Sequence, residues 1–296
     1  MRKIKLAVIS DIHGNSVALE QVLLDAKKNN VDEYIFPGDL INDLPFGNET
    51  LELVKNTSDY LIEGNKEEYI KEYNRAHYFW NNLQFKNIIF MNNELSKENQ
   101  KLVCSLPITL NLEFEGVSFK IAHGSPESVE EQIHKKDENL IDKYTKTLKE
   151  DVLVFGHTHE PVWYKRVNGK LIVNAGCMGV SPYYKSMAEY IILHIKNKEV
   201  EVEKRLIPYK TEIVREKIKK CGILDTDRVL MSLTYAALTG NGEIRHKFFV
   251  DAKNSMKERN HNLYKSDAEG IYKYFKLYDD DIWINTYNKY KNYFEF

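Results

Sequence analysis

Residues 4–14 read IKLAVISDIHG, an apolar run that ends in Ser10, Asp11, His13 and Gly14. A short unbroken apolar run is typical of a strand that is buried on both faces. In an extended segment, side chains at i and i+2 point the same way, so Asp11 and His13 could both reach one metal ion. Gly14 lets the chain turn sharply. The stretch therefore predicts a buried strand followed by a loop that could hold a metal.

The residues that follow alternate between helical and strand patterns. Apolar spacing predicts helices at residues 16–28 and 49–55, with short strands at residues 33–36 and 60–62. This β-α-β-α-β order is typical of an α/β sheet that is covered by helices. More strands are predicted later in the chain, within residues 109–122, 152–155, 162–174, 188–195 and 199–207.

The composition excludes several classes of protein. The 296 residues carry 42 basic and 44 acidic side chains, a net charge of -2, so no global field recruits nucleic acid or an anionic membrane. No run approaches the ~20 apolar residues that span a bilayer, and the first apolar run is too short for a signal peptide. The three cysteines are far apart and form neither a disulfide framework nor a metal knuckle. We therefore expect a cytoplasmic protein without membrane or nucleic-acid partners.

Polar loops after five of the predicted strands share one property: each offers a nitrogen or oxygen donor. Any one of them alone is ordinary turn chemistry. Ligands of open α/β sheets bind beyond the carboxyl ends of the strands, however, and all five loops fall there. Seven donors without a thiolate favour manganese, iron, zinc or a similar ion. In sequence order, the donors are Asp11 and His13, Asp39, Asn65, His123, and His157 with His159.

These ordered motifs resemble those of the calcineurin-like metallophosphoesterases. The segments HGSP at 123–126 and NAGCMG at 174–179 are also similar to the family's bacterial phosphodiesterase and diadenosine polyphosphate hydrolase-like branch. Cys177 stands where that branch is expected to have serine. The resemblance covers about the first 200 residues, and more loosely the segment at Pro208-Tyr209.

The resemblance implies an α/β fold (α+β by some schemes), a four-layer β-sandwich of two mixed sheets flanked by helices. We interpret residues 1–210 as the catalytic domain, with a helical insert at 66–106 that could act as a lid. Residues 211–296 would form a helical C-terminal extension, which could close the active-site cleft or form a contact in a homo-oligomer.

The resemblance also implies how two divalent ions are held. Asp11, His13 and His159 would bind the first ion. Asn65, His123 and His157 would bind the second, with Asp39 bridging both. Manganese or iron is expected, and zinc, nickel or cobalt is possible. A hydroxide that bridges the two ions would attack phosphorus, because metal binding makes hydroxide available near neutral pH. Asp39, Asn65, His123 and Lys66 are the predicted catalytic residues.

Lys66 departs from the family pattern, since many members carry histidine after Gly-Asn. Lys66 could neutralise a leaving oxygen or a phosphate as a cation, but lysine is a poor proton donor unless its pKa is depressed. It could instead be a solvated residue in the first turn of a helix. Tyr69 and Tyr73 are predicted substrate contacts that could stack a nucleobase, together with the aromatics at 78–80. The alternative is that these aromatics form the insert's own small core.

We expect a hydrolase that acts on a small phosphorylated substrate. The leading interpretation is a phosphodiesterase or pyrophosphohydrolase for nucleotides, such as diadenosine tetraphosphate. A broad-specificity phosphomonoesterase or a Ser/Thr protein phosphatase is the alternative within enzymes. A non-catalytic protein-interaction scaffold is the alternative outside them.

Overall fold

The computed structural model describes residues 3–75, 86–259 and 280–293. Within these residues, the strands are β1 Ile4–Val8, β2 Glu33–Pro37, β3 Leu61–Ile62, β4 Leu110–Phe114, β5 Val117–Ile121, β6 Val152–Phe155, β7 Trp163–Val167, β8 Lys170–Asn174, β9 Met187–Lys196 and β10 Glu199–Pro208. The helices are α1 Ser16–Lys28, α2 Gly47–Lys55, α3 Asn65–Arg75, α4 Lys86–Glu94, α5 Lys97–Ser105, α6 Glu138–Thr147, α7 Thr211–Lys220, α8 Ile223–Thr226, α9 Arg228–Leu238, α10 Gly242–Arg259 and α11 Asp280–Tyr290, with a 3₁₀ turn at Lys291–Tyr293.

The strands form two five-stranded sheets, with orders β10-β9-β1-β2-β3 and β4-β5-β6-β8-β7. In the first sheet β1, β2 and β3 are parallel, while β9 and β10 are antiparallel to their neighbours. In the second sheet β5, β6 and β8 are parallel and the antiparallel strands β4 and β7 lie at the edges. Both sheets are therefore mixed, as predicted.

Apolar side chains separate the molecule into four layers. One core lies between the sheets and includes Val8 and Ile35 from the first sheet and Phe119 and Val154 from the second. A second core packs the outer face of the first sheet against helices, and we call it the helix-side core. A third packs α6 on the outer face of the second sheet through residues such as Tyr144. The sequence of helices, sheet, sheet and helix confirms the predicted sandwich.

The insert and the first helices of the C-terminal region share the helix-side core. Ile70 and Val103 of the insert pack into it, and so do Val214 of α7 and Met231 of α9. The apolar packing is thus continuous across residue 210, and the division into two domains stays a prediction. No helix in the described part of the chain has both the length and the apolarity needed to cross a bilayer.

Asp227 provides a test of the packing around the C-terminal helices. Its Oδ1 accepts a hydrogen bond from Leu230 N at 3.0 Å and caps α9. Burial raises the pKa of this carboxyl to about 7. The folded state therefore holds a proton that the unfolded chain has lost, and stability falls as pH rises from about 4 towards 7. Asn also caps helices but carries no charge. We expect Asp227→Asn to stabilise the protein on the order of 2 kcal/mol at pH 8 and much less at pH 3.5.

Thermal unfolding at both pH values measures this difference. Asp225→Asn is the matched control, because Asp225 is exposed on the neighbouring helix α8. An equal change in melting temperature at both pH values would show that burial of the Asp227 charge is not the cause.

Candidate metal centre

The predicted donors meet at the carboxyl ends of the parallel strands. Asp11 and His13 follow β1, Asp39 follows β2 and Asn65 lies after β3 at the start of α3; His123 follows β5, and His157 with His159 follows β6. Backbone hydrogen bonds hold the first two loops together: His13 N donates to Asp39 O at 2.8 Å and Gly14 N donates to Leu40 O at 3.0 Å. The structure thus brings all seven predicted donors to one place.

Four of these donors form a first group. Nε2 of His13 lies 2.8 Å from Nε2 of His159. Oδ1 of Asp11 lies 3.3 Å from the His159 nitrogen and 3.7 Å from the His13 nitrogen. Oδ2 of Asp39 lies 3.8 Å from His13 Nε2. Atoms this close can coordinate a single ion.

The second group contains Asp39 again, with His123, His157 and Asn65. Oδ1 of Asp39 lies 3.4 Å from Nε2 of His123. The inner carboxamide atom of Asn65 lies 3.2 Å from both His123 Nε2 and His157 Nδ1. The two oxygens of Asp39 therefore face different groups, Oδ2 towards His13 and Oδ1 towards His123. A carboxylate in this position can bridge two ions.

The backbone of these loops differs from the extended conformation that the i, i+2 spacing suggested. Five of the donors have positive φ angles, namely Asp11 at 56°, His13 at 51°, Asp39 at 50°, His157 at 67° and His159 at 55°. Each such residue costs on the order of 1–3 kcal/mol, so the surrounding structure must enforce the conformation. Asp11 and His13 still face the same group, whereas His157 and His159 face different groups. The prediction of an extended backbone is therefore wrong, and the convergence comes from left-handed turns.

Hydrogen bonds outside the two groups set the imidazole tautomers. Nδ1 of His123 lies 2.9 Å from Pro37 O, and Nε2 of His157 lies 3.2 Å from Glu130 O. Because a carbonyl only accepts, each outer nitrogen carries a proton, and in the neutral imidazole the inner nitrogen is therefore a lone-pair donor. Nδ1 of His13 faces Oδ2 of Asp43 at 3.3 Å, an ion-pair distance without hydrogen-bond geometry. These are the outer contacts that metal-binding histidines usually make, so the residues fit a metal centre.

The orientation of the Asn65 carboxamide also indicates whether these residues fit a metal centre. With its oxygen inward, that oxygen lies 3.1–3.2 Å from the carboxylate oxygens of Asp39 and close to two imidazole nitrogens. All of these atoms are acceptors when the imidazoles are neutral, and a cation among them would satisfy them together. With the amide turned, its nitrogen would donate to the same atoms and its oxygen would accept from Tyr69. The inward oxygen is the orientation that metal binding requires.

Glu67 holds two of the loops in register. This buried carboxylate accepts hydrogen bonds from the backbone nitrogens of Asp39 and Leu40 at 2.9 Å, Ile41 at 3.1 Å and Gly64 at 2.8 Å. The contact to Gly64 is half of a capping box, because Glu67 is the third residue of α3. The spacing Gly64-x-x-Glu67 could have revealed this role in the sequence. The wider contact to the loop after β2 could not have been seen there.

Neighbouring carboxylates control the charge on the histidines. Burial lowers the pKa of His13 and His123, but the negative charges on Asp43 and Asp11 around His13, and on Asp39 beside His123, outweigh it and raise each pKa to about 9. Burial and the nearby charge of His123 lower the pKa of His157 to about 3. A metal ion that binds here displaces protons from His13 and His123.

Cys177 is a potential donor that the sequence analysis did not include. Its thiol is buried and lies with His13 and His159 in a cluster that could hold a metal ion. Its Sγ lies 3.6 Å from Asp11 O. The charge on His159 outweighs burial and lowers the pKa of the thiol. The first group therefore has a soft sulfur atom beside it, which widens the choice of metals towards zinc.

A cleft of about 380 Å³ opens over both groups. Lys66 and Tyr69 of α3 lie on one wall, and the Tyr69 hydroxyl donates to Glu130 Oε1 at 2.6 Å. Tyr73 packs against the helix-side core and is not among the residues that line this cleft. The predicted aromatics at 78–80 lie outside the described residues. Of the predicted substrate contacts, Lys66 and Tyr69 therefore face the cleft.

The opposite wall is formed by α10, far away in the sequence. Gly242, Arg245, His246 and Phe249 line the cleft, and their spacing of three and four residues places them on one face of the helix. Phe248 faces the other way and packs against Trp283 of α11. The sequence left open whether the C-terminal region closes the cleft, and the structure places α10 there.

Comparison with known proteins places the chain in a family. Residues 4–198, more than half of the chain, match the sequence profile of the calcineurin-like phosphoesterase superfamily domain. The uncharacterized protein MJ0912 of Methanocaldococcus jannaschii is 25% identical over 234 residues, which are 74% of this chain and 94% of that protein.

Two solved structures have the same fold. A metallophosphoesterase from Sphaerobacter thermophilus superposes with a TM-score of 0.66 at 22% identity, covering 79% of this chain and 100% of that one. The hypothetical protein PH1004 from Pyrococcus horikoshii gives a TM-score of 0.68 at 18% identity, covering 80% and 98%. The chain therefore belongs to the calcineurin-like phosphoesterase superfamily, and it is a hydrolase of phosphoester bonds.

Proposed function

We propose that the protein is a two-metal phosphodiesterase or pyrophosphohydrolase that acts on nucleotides, with diadenosine tetraphosphate as a candidate substrate. The observation that carries the proposal is the position of Asp39, whose two carboxylate oxygens face two separate groups of donors. Asp11, His13 and His159 would hold one ion, and Asn65, His123 and His157 the other. Asp39 would fix the distance between them. All seven positions are filled, which argues against a non-catalytic scaffold.

The chemistry follows from this arrangement. When bound, two divalent ions supply a nucleophile near neutral pH and neutralise charge on the transferred phosphoryl group. Asp11 and Asp39 bring two negative charges to the centre, so two divalent ions would leave it with a net positive charge that attracts a phosphate. Asn65 adds an oxygen donor without adding charge. The proposed metals are manganese or iron, and Cys177 keeps zinc among the candidates.

Lys66 is proposed to act as a fixed cation. Its Nζ lies 3.6 Å from Oδ1 of Asp43. Burial lowers the pKa of the amine, but the carboxylates of Asp43 and Asp39 outweigh it and raise the pKa above the ordinary value. A lysine with a raised pKa keeps its proton, so Lys66 would stabilise a leaving oxygen by charge and not by proton transfer.

Substitution of Lys66 tests this role. Lys66→Ala is expected to lower kcat for aryl phosphodiesters with good leaving groups about threefold, and for those with poor leaving groups about thirtyfold or more. A plot of log kcat against leaving-group pKa measures the change in slope. Lys97→Ala is the matched control, because Lys97 is exposed on α5. An unchanged slope in Lys66→Ala would restrict Lys66 to phosphate positioning.

A substrate panel distinguishes the proposed activity from its alternatives. Protein reloaded with manganese would be assayed on bis-p-nitrophenyl phosphate, p-nitrophenyl phosphate and diadenosine tetraphosphate. We expect the diester and the dinucleotide to be cleaved at least tenfold faster than the monoester. Faster cleavage of the monoester would favour a phosphomonoesterase or a Ser/Thr protein phosphatase. Metal binding without turnover on any of the three would favour a scaffold.

The three cysteines are free thiols, Cys104 exposed, Cys177 buried and Cys221 partly buried. Unpaired thiols suit a reducing compartment. On that ground we propose that the protein works in the cytoplasm.

A further inference from the structure

We propose that α10 completes the active site with a second phosphate subsite, in which Arg245 binds the phosphate next to the one that is cleaved. The substrate would then carry at least two linked phosphate groups, as a nucleoside polyphosphate does. This inference rests on the proposed function and narrows its substrate class. Arg245 lies beyond residue 198, where the match to the family profile ends.

The first observation is a pair of cations that share one carboxylate. Nη2 of Arg245 lies 3.4 Å from Oδ2 of Asp43, and Nζ of Lys66 lies 3.6 Å from Oδ1 of the same residue. The Arg245 and Lys66 side chains are only 15% and 22% exposed. The single charge of Asp43 is therefore shared between two cations. Glu130, another carboxylate near Lys66 on the cleft wall, accepts a hydrogen bond from Tyr69. Both cations line the cleft above the donor groups.

The second observation is that Asp43 connects this pair of cations to the metal centre. Oδ2 of Asp43 also lies 3.3 Å from Nδ1 of His13, whose other nitrogen faces the first group. Arg245 is thus separated from a donor by a single carboxylate. Linked phosphates share a bridging oxygen, so a phosphate at the metal centre would place its neighbour near this cationic wall. The planar guanidinium offers several N–H donors to phosphate oxygens at once.

The third observation is that α10 is held in place before any ligand binds. A Cβ at Gly242 would overlap the carbonyl oxygen of Pro182, so the start of the helix lies directly on the loop after β8. One turn beyond Arg245, the ring of Phe248 packs edge-on against Trp283 at 4.8 Å between centroids. A side chain on a fixed helix loses less freedom when it binds, which favours affinity. The C-terminal helices would thus serve to position Arg245.

Binding of inorganic ions to the metal-loaded protein tests the subsite without turnover. We expect Arg245→Ala to weaken binding of tripolyphosphate, measured by calorimetry, about 10–100-fold. Binding of orthophosphate, which has no second phosphate, should weaken at least tenfold less. Lys247→Ala is the matched control. It removes the same charge from the same helix, but Lys247 is exposed and does not line the cleft, so tripolyphosphate should bind to this variant as to the wild type.

Two outcomes would overturn the proposal. An equal loss for both ions would mean that Arg245 acts only through Asp43 and the metal centre. No loss for either ion would mean that Arg245 does not contact the ligand. Arg245→Lys should restore part of the tripolyphosphate affinity, whereas a purely structural role of Arg245 would not predict selective recovery. Circular dichroism confirms that each variant is folded.

The substrate panel separates failure of the subsite from failure of the proposed function. A wild-type protein that binds tripolyphosphate through Arg245 but cleaves no diester or dinucleotide would retain the subsite and lose the proposed activity. A protein that cleaves both, with equal losses for both ions in Arg245→Ala, would retain the activity and lose the subsite.

Discussion

Asp39→Asn is expected to lower kcat for bis-p-nitrophenyl phosphate by about a thousandfold or more, since loss of an outer contact alone costs about 10–100-fold in metal sites. The amide keeps the size of the side chain but removes the charge that both donor groups share. The amide nitrogen would then face His13 or His123, where a metal ion needs a lone pair. Steady-state hydrolysis and the metal content of the dialysed protein measure the effect.

Asp142→Asn is the matched control for this substitution. Asp142 is a half-exposed carboxylate on α6 that pairs with Lys146. Such a surface pair contributes little to stability, so activity should remain near the wild-type value. Turnover by Asp39→Asn within tenfold of the wild type, with two ions still bound, would contradict the bridging role of Asp39.

Gly64→Ala is expected to have the second largest effect, a loss of about a hundredfold or more in kcat. A Cβ at this position would overlap both the backbone nitrogen and Oδ1 of Asp39. The methyl group must therefore displace the carboxylate that both groups of donors use. Gly64 also donates its N–H to Glu67, so the loop after β2 would move with it. Activity and metal stoichiometry, measured on protein whose fold is confirmed by circular dichroism, report the effect.

Gly47→Ala serves as the control because it makes the same substitution at a position in helix α2, away from the donors. The nearest atom to its added Cβ is the end of the Leu95 side chain, at 3.1 Å, which can move slightly. Alanine is also a better helix former than glycine, so the variant should stay active and folded. Full activity in Gly64→Ala would show that the close approach of Gly64 to Asp39 has no role in the metal centre.

The strand-end loops could be predicted from the sequence because their signals are local. The apolar run at residues 4–9 and the helical spacing at residues 16–28 each lie within one element. The hairpin turn at Glu115-Gly116 is also local, since both residues adopt positive φ angles and such turns favour glycine. The donors then follow from one rule, which places ligands beyond the carboxyl ends of the strands.

The residues that support the donors could not be predicted in the same way. Asp43 acts across space on His13, Lys66 and Arg245, and no sequence spacing connects these residues. Arg245 lies on a helix that reaches the cleft from a region far along the sequence. The left-handed backbone at Asp11 and His13 also escaped prediction, because non-glycine residues rarely adopt it. Tertiary structure enforces these features.

The proposed activity requires two metal ions that act together. Metal-stripped protein would be titrated with manganese while hydrolysis of bis-p-nitrophenyl phosphate is followed at each addition. We expect binding to saturate at two ions per chain, with little activity at the first equivalent and full activity at the second. Full activity with one ion per chain, or no hydrolysis with two ions bound, would contradict the proposed two-metal centre around Asp39.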